Sequence, residues 1–419
     1  MKLRRVRLLD RTGLWSMLIT DGRVQTIEPD SDDVTLNDGE FDARGGLATR
    51  TFSDVHMHLD KAYNSEVMPN QSGTLGEAIE IGQKLKAEST EDMAYQKMIR
   101  GARQALGYGS TRLRTHVDVD PIAGLSGVKA ALRAREALKL WVDLQIVAFP
   151  QEGITGVDGV VDLLDESLRL GCGVIGGIPA RDSNPAQHIR EVFRLAELHG
   201  VPVDMHVDES DDPNDLTLLD TVEATRASGM AGRVAAAHCC SLYAQTTDRR
   251  ADIIEKVAQS GVHIITLPST NLYLQGRDDA LNPRRGLTPV RELLNAGVNV
   301  TFGSDNVRDP FNPFGNANMI EGALILAHGA HMGGTGDIAD AFDMATRRAA
   351  ALLESVQDVA SFALTVEEGG PADLLVWQEE QIQELIISQA RPNLVIVGGK
   401  VAVQRSEQVQ WTEQLPNSE

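Results

Sequence analysis

The chain has 419 residues and carries 60 acidic against 39 basic side chains, a net charge near -21, which repels phosphate backbones and anionic lipid and argues against nucleic-acid and membrane partners. Its length accommodates one large domain and a modest second one. Three cysteines, Cys172, Cys239 and Cys240, make no CxxC pair and no disulfide framework, and no apolar run is long enough to span a bilayer, so a cytoplasmic location is expected.

In chain order, short strands are predicted over residues 3–9 and 15–19, joined by turns at Arg11-Thr12-Gly13 and Asp21-Gly22. The chain closes in the same manner, with strands over 372–377 and 394–403, the latter divided by Gly398-Gly399. The two ends are therefore expected to pair into one small β domain. Between them strand and helix alternate. One strand ends at His56, and others follow over 111–117, 144–149, 174–178, 201–206, 234–238, 262–267 and 298–302. Amphipathic helices are predicted over 160–169, 189–197, 248–259 and 289–294, with Gly171, Gly200, Gly261 and Gly297 placed where helices stop. This punctuation predicts parallel βα units and a fold class of α/β, a (β/α)8 TIM-type barrel over 49–360. The small β domain then takes 1–48 and 361–419.

The strand ends carry the chemistry. Strand alternation points His56 and His58 of Ser53-Asp54-Val55-His56-Met57-His58 the same way. His206, His238 and Asp305 each follow a later apolar run, and a (β/α)8 barrel collects such residues at the C-terminal face, where its active sites lie. Three histidines and an aspartate suit one divalent ion, zinc or iron, with a position left for water. Glu209 lies three residues past His206, placed for general acid or base work, and His238 for orienting or deprotonating water. Taken singly, each residue has a plainer explanation: a hydrogen-bonded histidine, or Asp305 capping a turn. Their consistent order on separate strands favours the functional reading. His188, His199, His263, His328 and His331 fall within or beside helices and strand interiors and are read as structural.

The chain resembles the cytosine deaminase branch of the amidohydrolase superfamily. The segments that carry this are the HxH, Arg114-Thr115-His116-Val117-Asp118, the stretch from Leu144 through Phe149-Pro150-Gln151-Glu152-Gly153, the stretch from His206 to Glu209, Asn271-Leu272-Tyr273-Leu274-Gln275-Gly276-Arg277, and Gly303-Ser304-Asp305-Asn306-Val307-Arg308-Asp309-Pro310. The resemblance implies metal ligands at His56, His58, His206 and Asp305. It also implies proton-transfer roles for Glu209, His238 and Asp305, and a glutamine, Gln151, that reads the amide-like edge of a ring. Phe149, Asn306 and Phe311 join Gln151 as expected substrate contacts. His116 is open between hydrogen bonding near the ligands and packing, and Lys61 reads as a salt-bridging or rim residue.

The implied activity is hydrolytic deamination of a small N-heterocycle, an aminohydrolase acting on cyclic amidines. The fourth strand region, Gly176-Gly177-Ile178-Pro179-Ala180-Arg181, has no lysine to carry a carboxylated bridge, which argues for one metal and against ring-opening amidases. Asn306 stands where cytosine deaminases tend to have a second aspartate, and Phe311 where a tryptophan is usual. The Asn306 departure points toward aminotriazine hydrolases, including those that release a substituted amine, and Phe311 is expected to enlarge the pocket; creatinine or isocytosine-type rings are further alternatives. A non-catalytic metal- or heterocycle-binding paralogue is the alternative from another class, and homo-oligomer is a family-level expectation only.

Overall fold

The computed structural model describes residues 1–33, 35–277, 279–334 and 336–406; the expected tail, 407–419, lies outside the described residues. The chain starts with β1 (Lys2–Leu8), β2 (Arg11–Thr20), β3 (Arg23–Pro29) and β4 (Glu40–Asp42), forming a sheet of order β3-β2-β1-β4. The turn expected at Arg11-Thr12-Gly13 lies instead at Leu9-Asp10, because Leu8 already pairs with Arg11. Gly13, at φ +87°, stays inside β2, where the register slips between the Val6–Trp15 and Leu8–Arg11 pairs. A bulge absorbs the left-handed residue that the sequence pattern assigns to a turn.

The short β5 (Ala48–Arg50) then leads into eight parallel strands: β6 (Phe52–Met57), β7 (Ser110–Asp118), β8 (Asp143–Phe149), β9 (Val174–Gly177), β10 (Val203–Val207), β11 (Val234–His238), β12 (His263–Thr266) and β13 (Val300–Phe302). They neighbour one another in sequence order. Every residue of β6, β10, β11, β12 and β13 is buried, the mark of parallel strands covered on both faces. The helices Val160–Leu170, Pro185–His199 and Thr247–Ser260 stop at Gly171, Gly200 and Gly261, all with positive φ, as their placement predicts. Between β6 and β7 the chain makes a longer excursion through helices Leu75–Glu88 and Glu91–Gly107.

Closure of the barrel coincides with the functional strand ends. The last and first strands meet through a single parallel bridge between Met57 and Asp305. There Asp305 N donates to His56 O at 2.8 Å and His58 N donates to Asp305 O at 3.0 Å.

After the barrel, β14 (Leu374–Val376), β15 (Leu394–Val397) and β16 (Lys400–Gln404) form a sheet with β5 in the order β16-β15-β14-β5. Gly398 and Gly399, at φ +53° and +74°, make the two-residue hairpin, a geometry that favours residues without a Cβ. Leu3, Val6, Met17 and Ala48 from one end of the chain share a core with Leu374 and Ile396 from the other. The two termini therefore build one small β domain beside the barrel.

Candidate active site

His56 is the penultimate residue of β6, and His58, just past the strand end, takes the next inward-facing position. His206 lies on β10, and Asp305 comes just after β13. The structure brings the four together: Nε2 of His206 is 3.3 Å from Nε2 of His56 and 3.2 Å from Nε2 of His58. Oδ1 of Asp305 lies 3.4 Å from His58 Nε2 and 3.8 Å from His56 Nε2. All four are buried. Burial first, then their charged neighbours, push His58 and His206 well below the ordinary imidazole value, which favours neutral rings, each with one nitrogen lone pair available to an ion. Donors held about 2.1 Å from one ion in tetrahedral array stand about 3.4 Å apart, so these four atoms fit one divalent metal.

Backbone strain collects at the same place. Asp208, His238, Cys239 and Asp305 all have positive φ, between 49° and 68°, at roughly 1–2 kcal/mol each for a residue with a Cβ. Asp54 secures one of these turns, accepting from Ser304 N at 3.0 Å and Ser304 Oγ at 2.5 Å. Burial pushes Asp54 up to about 6, opposed by those same bonds.

A second layer lies beneath the donors. Asp204 Oδ2 accepts from Arg114 Nη1 at 2.8 Å, while its Oδ1 lies 3.7 Å from His56 Nδ1 and 3.4 Å from His116 Nε2. Burial opposes the charge of Asp204, yet His116, His56 and Arg114 hold it far below the usual carboxylate range. The His116 ring packs 4.0 Å from that of His56, and neither of its nitrogens has a hydrogen-bond partner among the described residues. Neither Asp54 nor Asp204 was picked out from sequence. Both were legible, since each stands two residues before a histidine on its strand, on the same inward face.

Glu209 sits past the end of β10 with Oε1 3.6 Å from His238 Nδ1. Burial, and secondarily Asp305, raise its carboxyl to about 8. His238 is pushed well below its ordinary value by burial. Its carbonyl accepts from Thr288 Oγ1 at 2.5 Å, and its Nδ1 lies 3.0 Å from Nδ2 of Asn271. Asn271 heads one of the segments singled out in the sequence, but its contact with His238 was not foreseen.

The expected substrate contacts are placed unequally. Phe149 is fully buried and stacks on His206 at 4.3 Å, so its ring supports a donor and has no free face. Asn306 is 5% exposed, and its amide is engaged at both ends: Nδ2 donates to Asp309 Oδ2 at 2.7 Å and Oδ1 accepts from Thr270 Oγ1 at 3.2 Å. Gln151 and Phe311 do line an open cleft, together with Lys61, Lys86, Asp118 and Arg181. Gly82 of helix Leu75–Glu88 faces Phe311 across it. Lys61 Nζ is paired with Asp118 at 2.7 Å and donates to Gln151 Oε1 at 2.8 Å. Of the structural histidines, His188 Nδ1 pairs with Asp182 at 2.6 Å and His263 Nε2 donates to Gly232 O at 3.0 Å.

The chain is similar to known proteins over nearly its whole length. The amidohydrolase family model matches residues 39–403. A pterin deaminase from Rhizobium rhizogenes strain K84 is 30% identical over 92% of this chain and 87% of its own length. An N-isopropylammelide isopropyl amidohydrolase from Pseudomonas sp. strain ADP is 30% identical over 96% of each chain. The crystal structure of 5-methylcytosine deaminase from Klebsiella pneumoniae, liganded with 5-fluorocytosine, superposes with a TM-score of 0.92 at 33% identity, covering 98% of this chain and 99% of that one.

Proposed function

The chain belongs to the amidohydrolase family, in its cytosine deaminase-like branch, and on that premise we propose that it hydrolyses an exocyclic amino group from a small N-heterocycle, with the residues of the barrel mouth in the following roles. His56, His58, His206 and Asp305 hold one divalent ion, zinc or iron, both of which suit three imidazoles and a carboxylate. Such an ion supplies a Lewis acid that lowers the pKa of water toward neutrality.

Glu209 donates its proton to the ring nitrogen beside the amino-bearing carbon as the oxygen of water adds to that carbon. Asp305 takes a proton from the attacking water and passes it to the departing nitrogen. The C–N bond then breaks, ammonia leaves, and the remaining hydroxyl proton returns to the Glu209 carboxylate as the ring oxygen becomes a carbonyl. His238 stabilises charge developing on that oxygen. The observation that carries this reading is the placement of the Glu209 carboxyl 3.6 Å from His238 Nδ1, whose ring lies 5.0 Å from that of His206 at the edge of the four-donor cluster. A purely structural metal site has no use for a carboxyl and an imidazole set together beside the donors.

Release of a substituted amine is a second reading, supported by the 30% identity to the N-isopropylammelide isopropyl amidohydrolase across nearly the full chain and by Asn306 after the candidate ligand. The test is ammonia and amine release from aminopyrimidines, pterins, aminotriazines and creatinine-like rings, after reconstitution with zinc and with iron separately. Turnover of one ring class identifies the substrate and the working metal. No release from any ring, with metal bound, overturns the proposal. A non-catalytic paralogue is separated by Glu209→Gln, which in an enzyme keeps ring binding and loses rate.

A further inference from the structure

The contact between Lys61 and Gln151 settles something that an amide ordinarily leaves open. A glutamine side chain offers a carbonyl at one corner and an NH2 at the other, and a simple flip exchanges them. An ammonium group can only donate, so the corner 2.8 Å from Lys61 Nζ is the carbonyl oxygen Oε1 and the free corner is the NH2. Lys61 is itself anchored. Asp118 pairs with it at 2.7 Å, and the ammonium stands 5.7 Å from the centre of the Phe149 ring, which stacks on His206. Asp118 is held in turn by Lys86 at 2.8 Å. Gln151 is thus oriented by a chain of charged contacts that ends against the barrel frame. Burial opposes the charge on Lys61, but Asp118 and Asp60 outweigh it and raise its pKa above the ordinary lysine value, so the donor is permanent at working pH.

We infer that Lys61 is a positioning residue that locks Gln151 with its amide hydrogens toward the cleft, so that the enzyme selects heterocycles presenting a hydrogen-bond acceptor, a ring carbonyl or an unprotonated ring nitrogen, to that corner. The inference rests on the aminohydrolase reading and narrows its substrate class. Without the lysine, Gln151 turns either corner toward the ring and accepts N–H and C=O edges alike. With it, an N–H edge faces an N–H donor, and that mismatch is penalised because neither group finds a partner.

The test compares two rings, cytosine and its analogue lacking the ring carbonyl, on the metal-loaded protein. Ammonia release gives KM and kcat, and calorimetric binding of the two deaminated products gives affinity independently of turnover. Wild-type protein is expected to favour the carbonyl-bearing ring by about tenfold or more, mainly in KM. Lys61→Met should retain turnover of both rings and lose most of that preference, while Lys61→Arg should restore part of it. Because removing a buried cation also disturbs Asp118, Gln151→Glu serves as the second variant. Its carboxylate pairs with Lys61 and leaves no donor, so the preference should vanish or reverse with the melting temperature unchanged. A preference that survives both Lys61→Met and Gln151→Glu overturns the inference and leaves the aminohydrolase reading intact. Absence of ammonia from these two rings and from the whole panel of aminopyrimidines, pterins, aminotriazines and creatinine-like rings overturns the aminohydrolase reading instead, and the product affinities then decide the role of Lys61; if neither product binds, that role falls as well.

Discussion

Two polar regions share the mouth of this barrel, and they solve burial in opposite ways. In the cleft under helix Leu75–Glu88, Lys86 reaches Asp118, Asp120 and Glu152 at 2.7–2.9 Å, and Lys61 reaches Asp118 at 2.7 Å. Lys61 and Lys86 have both found their anions there. At the strand ends, three imidazole nitrogens and a carboxylate oxygen converge with no lysine or arginine paired to them among the described residues, and the other ring nitrogens of His56, His58 and His206 have no hydrogen-bond partner among the described residues. A paired charge network rigidifies the framework. Converging lone pairs are tolerable in a folded state only if something positive completes them. Both regions are polar and buried, and the difference in pairing is what separates scaffold from candidate site.

The sharpest way to break this comparison is to remove a donor. His206→Ala is expected to lose its metal almost completely and its turnover with it while keeping its far-UV circular dichroism; elemental analysis of the purified variant checks this, and full metal content would show that the cluster is not the ligand set. Glu209→Gln should leave metal content untouched and lower kcat by about 10²–10⁴-fold, the usual worth of a general acid or base. Steady-state kinetics on whichever ring the panel identifies reads it. Lys86→Met tests the other region. With Asp118, Asp120 and Glu152 deprived of their shared cation, stability should fall by about 3–5 kcal/mol in denaturant unfolding, whereas metal stoichiometry stays at the wild-type value.

The smallest expected effect concerns pH. Asp309 is fully buried, and burial raises its carboxyl to about 7, against bonds from Asn306 and the Asn312 amide that lower it. A carboxyl whose folded pKa lies above its unfolded value of about 3.9 is protonated in the folded chain over the interval between them, and that contribution is lost as pH rises through the folded value. Asp309→Asn, which has no proton to lose, should therefore gain in melting temperature relative to wild type between about pH 4 and pH 7. A difference independent of pH would mean that Asp309 is ionised throughout.

Much of the site was readable because barrel chemistry is periodic. His56, His58, His206, His238 and Asp305 fall at strand ends that apolar runs and glycine punctuation mark out, and Asp54 and Asp204 obey the same two-residue spacing although they were passed over. Residues whose meaning depends on distant partners were not readable. Lys61 and Gln151 are 90 positions apart, and His238 and Asn271 33 apart. Asn306 and Phe149 look like ring contacts in a linear motif, yet one is engaged by Thr270 and Asp309 and the other is sealed against His206.

By itself the sequence determined the alternation of strands and helices, the pairing of the two ends into a small β domain, and the face of each strand on which a candidate metal ligand stands. Those follow from local forces: side-chain period, glycine at helix ends, and the continuous apolar runs of doubly covered strands. Only the tertiary structure decided that barrel closure runs through the Met57–Asp305 bridge, which charges are paired, and which corner of Gln151 is free. Such outcomes turn on angstrom-scale distances between residues far apart in the chain, and hydrogen bonding in a low-dielectric interior makes each of them all or nothing.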